Sequence, residues 1–146
     1  MLRRGIIVLK QNISASNLPV FLKSNYLILI EIPIIVVLGV ASKLYRGPFR
    51  LWLNNSLGGV FYVIFFILLF SLFVTKRNIL KVSIIVLLAT SALEVMQLWK
   101  PPFLQIIRST FLGATFLGNT FVPSDFIYYI IGAIAGYFLT KALKRN

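Results

Sequence analysis

Glu94 and Gln97 lie three residues apart in SALEVMQLW, near the end of a long apolar run. Ser91 precedes Glu94 by three residues, so all three side chains would share one face of a helix. The chain has only three acidic residues among 146. An ionisable side chain inside an apolar span ordinarily faces other protein groups and has a partner. The spacing therefore indicates a polar site that could bind a ligand, carry a proton or anchor an ion pair.

Arg108 and Asp125 are the charged residues that could join Glu94. Arg108 could bind an anionic group or form a purely structural ion pair with Glu94, and both alternatives are open. Asp125 opens the last apolar run, where a carboxylate can equally cap the free N–H groups of a helix. With Gln97 and Tyr129, these residues form the predicted polar cluster.

The last apolar run has one face with helical spacing. That face carries Asp125, Tyr129, Gly132 and Gly136. The two glycines form a GxxxG pair, which allows another helix to approach closely, so we predict that they pack a helix. We expect this face to meet the face that carries Glu94 and Gln97.

The composition limits the chemistry that such a site could perform. The chain has no Cys and no His, which excludes thiolate metal sites and histidine acid–base catalysis. We predict neither a metal site nor a cofactor. Glu94 and Asp125 could still act as an acid–base pair, but no residue is assigned as catalytic, and a function without catalysis is favoured.

The elements that position these residues are apolar. Hydrophobic residues make up 59% of the chain and charged residues 12%, whereas a soluble domain has about a quarter charged residues. Four runs approach the roughly 17 to 25 residues of a membrane-crossing helix. They are residues 26–42, 57–75, 82–99 and 126–143. We therefore predict an all-α integral membrane protein with four transmembrane helices in one domain, residues 26–143.

Two further segments are less regular. Residues 103–121 are apolar, but two prolines precede them, Arg108 interrupts them and two glycines weaken their helix. We predict that this stretch is a re-entrant or interfacial segment before the last helix. Residues 1–25 contain no convincing signal-peptide cleavage site and are predicted to be an N-terminal segment that could form an interfacial helix.

The net charge of +12 does not indicate nucleic-acid binding. The basic residues cluster in the gaps between the apolar runs, as they do beside membrane spans, where they meet anionic lipid head groups. Most of them lie in the N-terminal segment, in the 76–81 loop and at the C-terminus. We therefore expect both termini to be cytoplasmic, membrane lipid to be a partner, and the Glu94 cluster to lie at the extracytoplasmic boundary.

The stretch ALEVMQLWKPPFLQIIRSTFLGATFLGNTFVPSDFIYYIIGAIAGYFL resembles a bacterial membrane family, domain-of-unknown-function family 2809, which is related in pattern to the VanZ-like family. The shared pattern is an acid and a Gln three apart, then an Arg, then an Asp that opens a Gly-containing last span. Its residues here are Glu94, Gln97, Arg108, Asp125, Gly132 and Gly136. VanZ-like proteins commonly have Asn where this chain has Tyr129. The resemblance covers roughly Leu51 to Phe138.

The resemblance implies an architecture and candidate residues, and no reaction. The family often places an Asp after the Gly that opens the second span, whereas this chain has Gly59 there. If that acid contributes to the site in relatives, this chain lacks one carboxylate.

These observations predict a small multi-pass protein of the bacterial cytoplasmic (inner) membrane. Its predicted function is to bind a lipid-linked or other amphiphilic ligand, or to act as an accessory or resistance factor. A membrane-embedded enzyme that uses a carboxylate pair is one alternative. A proton-coupled transporter with Glu94 as carrier, or a purely structural subunit, is another. The oligomeric state is open.

Overall fold

The computed structural model describes residues 18–118 and 120–144. Across these ranges the chain is helical and contains no strand, so the predicted all-α class is confirmed. Three helices are long and apolar enough to cross a membrane, namely Val20–Leu44, Lys76–Met96 and Asp125–Leu143. Of the predicted N-terminal segment 1–25, residues 1–17 lie outside the described residues.

In chain order the helices are α1 (Leu18–Leu44), α2 (Arg50–Trp52), α3 (Gly58–Ser71), α4 (Ile79–Met96), α5 (Pro102–Arg108), α6 (Phe111–Leu117) and α7 (Asp125–Leu143). A π-helical segment, Leu53–Leu57, joins α2 to α3, and a 3-10 turn, Lys76–Asn78, precedes α4. α1 begins earlier than the predicted start at residue 26, because the polar residues before that position continue the helix.

α3 is the central helix of the bundle. Its 14 residues are apolar on every side, and a helix of that kind is stable when it is surrounded by other helices. α3 packs against α1, α4 and α7, and Val63, Ile67 and Leu68 are fully buried in its interfaces. It is shorter than the predicted span 57–75, because the helix ends at Ser71 and residues 72–75 turn toward α4.

The two glycines of α7 lie against α3. A Cβ atom on Gly132 would lie 2.8 Å from the carbonyl oxygen of Val60, and one on Gly136 would lie 2.9 Å from Cδ1 of Ile67. The close approach that GxxxG allows therefore joins α7 to α3. The expected contact with the face of Glu94 is made by another residue of the same face of α7, since the hydroxyl of Tyr129 donates to Oε2 of Glu94.

The contacts also give the helix directions. The start of α7 meets the start of α3, and Lys144, just after α7, meets Ser71 at the end of α3, so the two helices run parallel. α4 runs the opposite way, since its last turn meets the first turn of α7. We call the end of the bundle with the last turn of α4 and the first turn of α7 the Glu94 end, and the opposite end the Lys144 end.

The connection between α4 and α7 folds over the Glu94 end as two short helices. Thr110 separates them and caps α6, since its Oγ1 accepts a hydrogen bond of 3.0 Å from the N–H of Gly113. A Cβ on Gly113 would lie only 1.8 Å from the carbonyl oxygen of Ile107, so the turn requires glycine. The hydroxyl of Tyr62 on α3 donates to the carbonyl of Phe116 at 3.0 Å, which fastens α6 to the bundle.

Candidate functional site

Glu94 is the centre of a closed hydrogen-bond network. Its side chain is 1% exposed. Oε1 accepts a hydrogen bond from the backbone N–H of Val122 at 2.7 Å. Oε2 accepts hydrogen bonds from the hydroxyl of Tyr129 at 2.8 Å and from Nε2 of Gln97 at 2.9 Å. The carboxylate thus joins α4, the connection before α7 and α7 itself. We call these four residues the Glu94 network.

The local sequence explains how these donors reach Glu94. Gln97 is one helical turn further along, so its amide lies beside the carboxylate. Gly118 has a φ of 66°, and a Cβ there would lie 2.4 Å from Nε2 of Gln97. Glycine therefore lets the connection turn over Gln97 and carry Val122 to the carboxylate.

Gly59 makes room for the tyrosine of the network. A Cβ at this position would lie 3.1 Å from Cε1 of Tyr129, which is tight contact for an aromatic ring. A side chain at position 59, where the family pattern often has Asp, would therefore point at the ring of Tyr129, whose hydroxyl donates to Glu94. In this chain glycine there lets Tyr129 occupy that space.

Arg108 binds the end of α4. Its Nη1 donates to the carbonyl of Trp99 and its Nη2 to the carbonyl of Met96, both at 3.0 Å. Met96 is the last residue of α4 and Trp99 lies in the turn that follows it, so the cation is placed at the carboxyl end of a helix, where it is favourable. In the described contacts Arg108 and Glu94 thus have separate partners, and the ion pair considered from the sequence is not formed.

Arg108 also has an unused donor. The side chain is only 6% exposed, and its Nε has no hydrogen-bond partner among the described residues. Buried guanidinium N–H groups are ordinarily paired. Arg108 is therefore held in position by two carbonyls, and its Nε–H is enclosed by protein without an acceptor among the described residues.

Asp125 lies at the edge of the Glu94 network. It is the first residue of α7 and is half-buried, with Glu94 and Lys43 as the charged groups that act on its carboxyl. Its backbone N–H donates to the carbonyl of Val122 at 2.9 Å. Asp125 thus helps to shape the turn that brings the N–H of Val122 to Glu94.

A surface hollow next to this site was missed from the sequence. It is lined by Lys100, Gln105, Arg108 and Ser109. Nε2 of Gln105 donates to the carbonyl of Lys100 at 2.9 Å. The signal was present, because Gln105, Arg108 and Ser109 are spaced i, i+3, i+4 and share one face of α5. We call these four residues the basic hollow.

Lys144, at the other end of the bundle, was also missed. The sequence indicated a solvated flanking charge, but the side chain is only 5% exposed and its Nζ donates to the carbonyl of Ser71. Burial lowers the pKa of Lys144 below its ordinary value. The fully buried hydroxyls of Ser71 and Thr140 have no hydrogen-bond partner in the described part of the chain.

The fold and the site define a class: an all-helical protein with apolar helices of membrane-spanning length and a closed polar network at one end. A family model described as "Protein of unknown function (DUF2809)" matches residues 49–133. This is more than half of the chain, which therefore belongs to that family. Neither the curated proteins nor the solved structures contain a match. The relation to the VanZ-like family stays a prediction.

The matched region contains the whole Glu94 network and the whole basic hollow. α1 and Lys144 lie outside it. Within the described residues, no group of three or more His, Cys, Asp or Glu could hold a metal ion.

Proposed function

We propose that this chain is a four-span protein of the bacterial cytoplasmic (inner) membrane that binds an amphiphile at the Glu94 end. The fourth span would consist of α3 with the π-helical segment and α2 before it. The end of α1 lies at the start of α3, where Lys43 is beside Gly58, and Phe21 near its start contacts Phe73 just after α3, so α1 and α3 run in opposite directions. The alternating directions of α1, α3, α4 and α7 support this topology. Lys76, Arg77, Lys81 and Lys141 lie at the Lys144 end, which supports cytoplasmic termini and an extracytoplasmic Glu94 end.

The observation that carries the proposal is a polar hollow beside an apolar surface. The basic hollow contains two cations. Beside it, the rings of Trp99 and Phe103 are in edge contact at 5.9 Å between centroids, and Ile106 on α5 is 70% exposed. An amphiphile needs a polar place for its head group and an apolar one for its chains. The α4–α5 corner offers both within a few residues.

The Glu94 network supports a binding function over catalysis. Both oxygens of Glu94 accept hydrogen bonds from protein groups in a buried position. A general acid or base must instead lie within hydrogen-bond reach of a substrate proton. We assign Glu94, Gln97 and Tyr129 the role of holding the connection onto the bundle, which keeps the basic hollow in shape. Sequestering a ligand there fits an accessory or resistance role.

The proposal is tested by thermal unfolding of the purified, delipidated full chain in a neutral detergent. A panel of phospholipids, glycolipids and diacylglycerol should include members that raise the unfolding temperature. Ile106→Ala should reduce that protection, because it removes apolar surface beside the hollow. Ile85→Ala is the matched control, since Ile85 is 64% exposed on the middle of α4. An absence of protection by every amphiphile, or equal loss in both variants, contradicts the proposal.

A further inference from the structure

We infer that the basic hollow is a phosphate site, and that the ligand class of this protein is an amphiphile with a phosphate in its head group. The inference rests on the proposed function. It adds Lys100 and Gln105 as ligand-binding residues beside Arg108.

The charge of the basic hollow favours an anionic ligand. Two of its four lining residues, Lys100 and Arg108, are cations, and none of the described lining residues is a carboxylate. The described partners of Arg108 are neutral carbonyl groups, so its charge is not offset by a neighbouring acid. A neutral sugar head group would leave both charges unpaired, whereas an anion compensates them.

The N–H groups that line the basic hollow favour a phosphate over a carboxylate. Lys100 is exposed and its ammonium has three donors. Gln105 uses one amide N–H on the carbonyl of Lys100, which leaves the other available. Arg108 lines the hollow, and its bonds to the carbonyls of Trp99 and Met96 use one N–H of each terminal nitrogen, which leaves the second N–H of each for a ligand. A phosphate, with several oxygens pointing in tetrahedral directions, can accept from these three side chains at once, and a carboxylate has only two oxygens to share among them.

The guanidinium of Arg108 is preorganised for binding an anion. The guanidinium of Arg108 is fixed by the carbonyls of Met96 and Trp99, and the side chain is buried. Its positive charge is therefore already fixed at the hollow before a ligand binds, which lowers the entropic cost of binding. Trp99 is exposed beside the hollow, and tryptophan concentrates at the depth of the lipid head groups. A phospholipid phosphate would lie at that level.

The test is a lipid titration of the delipidated full chain, followed by the fluorescence of Trp99. Trp52, the other tryptophan, is replaced by Phe in all samples. Phosphatidic acid and diacylglycerol with the same acyl chains are compared, and inorganic phosphate is added as a competitor. We expect phosphatidic acid to bind at least about tenfold more tightly than diacylglycerol, because charge-assisted hydrogen bonds are lost without the phosphate.

Lys100→Ala should weaken the binding of phosphatidic acid about tenfold and leave diacylglycerol unchanged. Lys81→Ala is the control, since Lys81 is an exposed lysine of α4 at the other end of the bundle. Competition by inorganic phosphate would support free phosphate as a source of the same chemistry, and its absence alongside tight lipid binding would support the lipid. Equal binding of both lipids, or an unchanged Lys100→Ala variant, overturns the inference while the proposed function stands. Binding of neither lipid also overturns the inference, and the proposed function is then decided by the wider amphiphile panel.

Discussion

Glu94 and Lys144 are both buried charged side chains, and they lie at opposite ends of the same bundle with different surroundings. Glu94 accepts hydrogen bonds from three donors on three parts of the chain. Lys144 has one described acceptor, the carbonyl of Ser71, and two hydroxyls nearby lack partners. A buried charged group can be tolerated when its donors or acceptors are hydrogen-bonded, and it destabilises the fold when they are not.

The difference teaches that burial alone does not set how much a charged side chain contributes to stability. The Glu94 network lies inside the matched region, residues 49–133, and Lys144 lies outside it. We therefore expect substitutions at Glu94 to weaken the fold strongly and substitutions at Lys144 to change it little, although both residues are almost fully buried.

The largest expected effect is that of Glu94→Ala. It leaves the donors of Gln97, Val122 and Tyr129 unpaired in a buried place, which should lower the free energy of unfolding by about 3 kcal/mol or more. Glu94→Gln keeps the size of the side chain and one acceptor oxygen, so it should lose about half as much. Equilibrium unfolding in mixed micelles measures both. Wild-type stability in Glu94→Ala would show that the Glu94 network does not stabilise the fold.

Tyr129→Phe should have an intermediate effect. It removes one of the three donors and leaves Glu94 with two, which predicts a loss of about 1 to 2 kcal/mol in the free energy of unfolding. Tyr128→Phe is the control on the same helix, because the Tyr128 hydroxyl accepts from Nε1 of Trp52 at an exposed position. The control should lose less than about 0.5 kcal/mol. Equal losses of unfolding free energy in Tyr129→Phe and Tyr128→Phe would mean that the buried hydrogen bond stabilises the fold no more than the exposed one.

Lys144→Met should have the smallest effect, within about 1 kcal/mol of the wild type at neutral pH. It removes one hydrogen bond and also the need to bury a charge, and the two changes oppose each other.

The pH dependence of stability separates these two contributions at Lys144. Since burial lowers its pKa below the ordinary 10.5, the unfolded chain holds this proton to higher pH than the folded chain. The wild type should therefore gain stability as pH rises from the lowered pKa toward 10.5, and Lys144→Met should lack that gain. Unfolding curves across the alkaline range measure it, and parallel profiles for the two proteins would refute the lowered pKa.

The sequence was sufficient for the helical class and for the expectation that Glu94 has polar partners. An isolated acid in an apolar run requires partners, and helical spacing placed Gln97 beside it. The N–H of Val122 could not be predicted, because a backbone donor on a connection has no residue signature. The same is true of the carbonyl groups that bind Arg108, so an ion pair with Glu94 was a reasonable hypothesis.

Other errors arose from tertiary packing. The glycines of α7 were correctly read as a surface for close approach, but which helix approaches depends on the central position of α3. Lys144 follows another lysine in a basic tail, and only the packing of α7 on α3 reveals that it is buried. To predict the basic hollow, one would have to know that α5 is a separate helix that begins at Pro102.

The central claim is that the Glu94 network holds the fold while the basic hollow binds the head group, and one paired measurement tests it most directly. Unfolding free energy and affinity for phosphatidic acid are determined side by side for Glu94→Gln and Lys100→Ala. The account predicts that Glu94→Gln loses stability and binds with wild-type affinity where it is folded, and that Lys100→Ala keeps its stability and loses affinity. The opposite result, with affinity lost in Glu94→Gln and retained in Lys100→Ala, would contradict it.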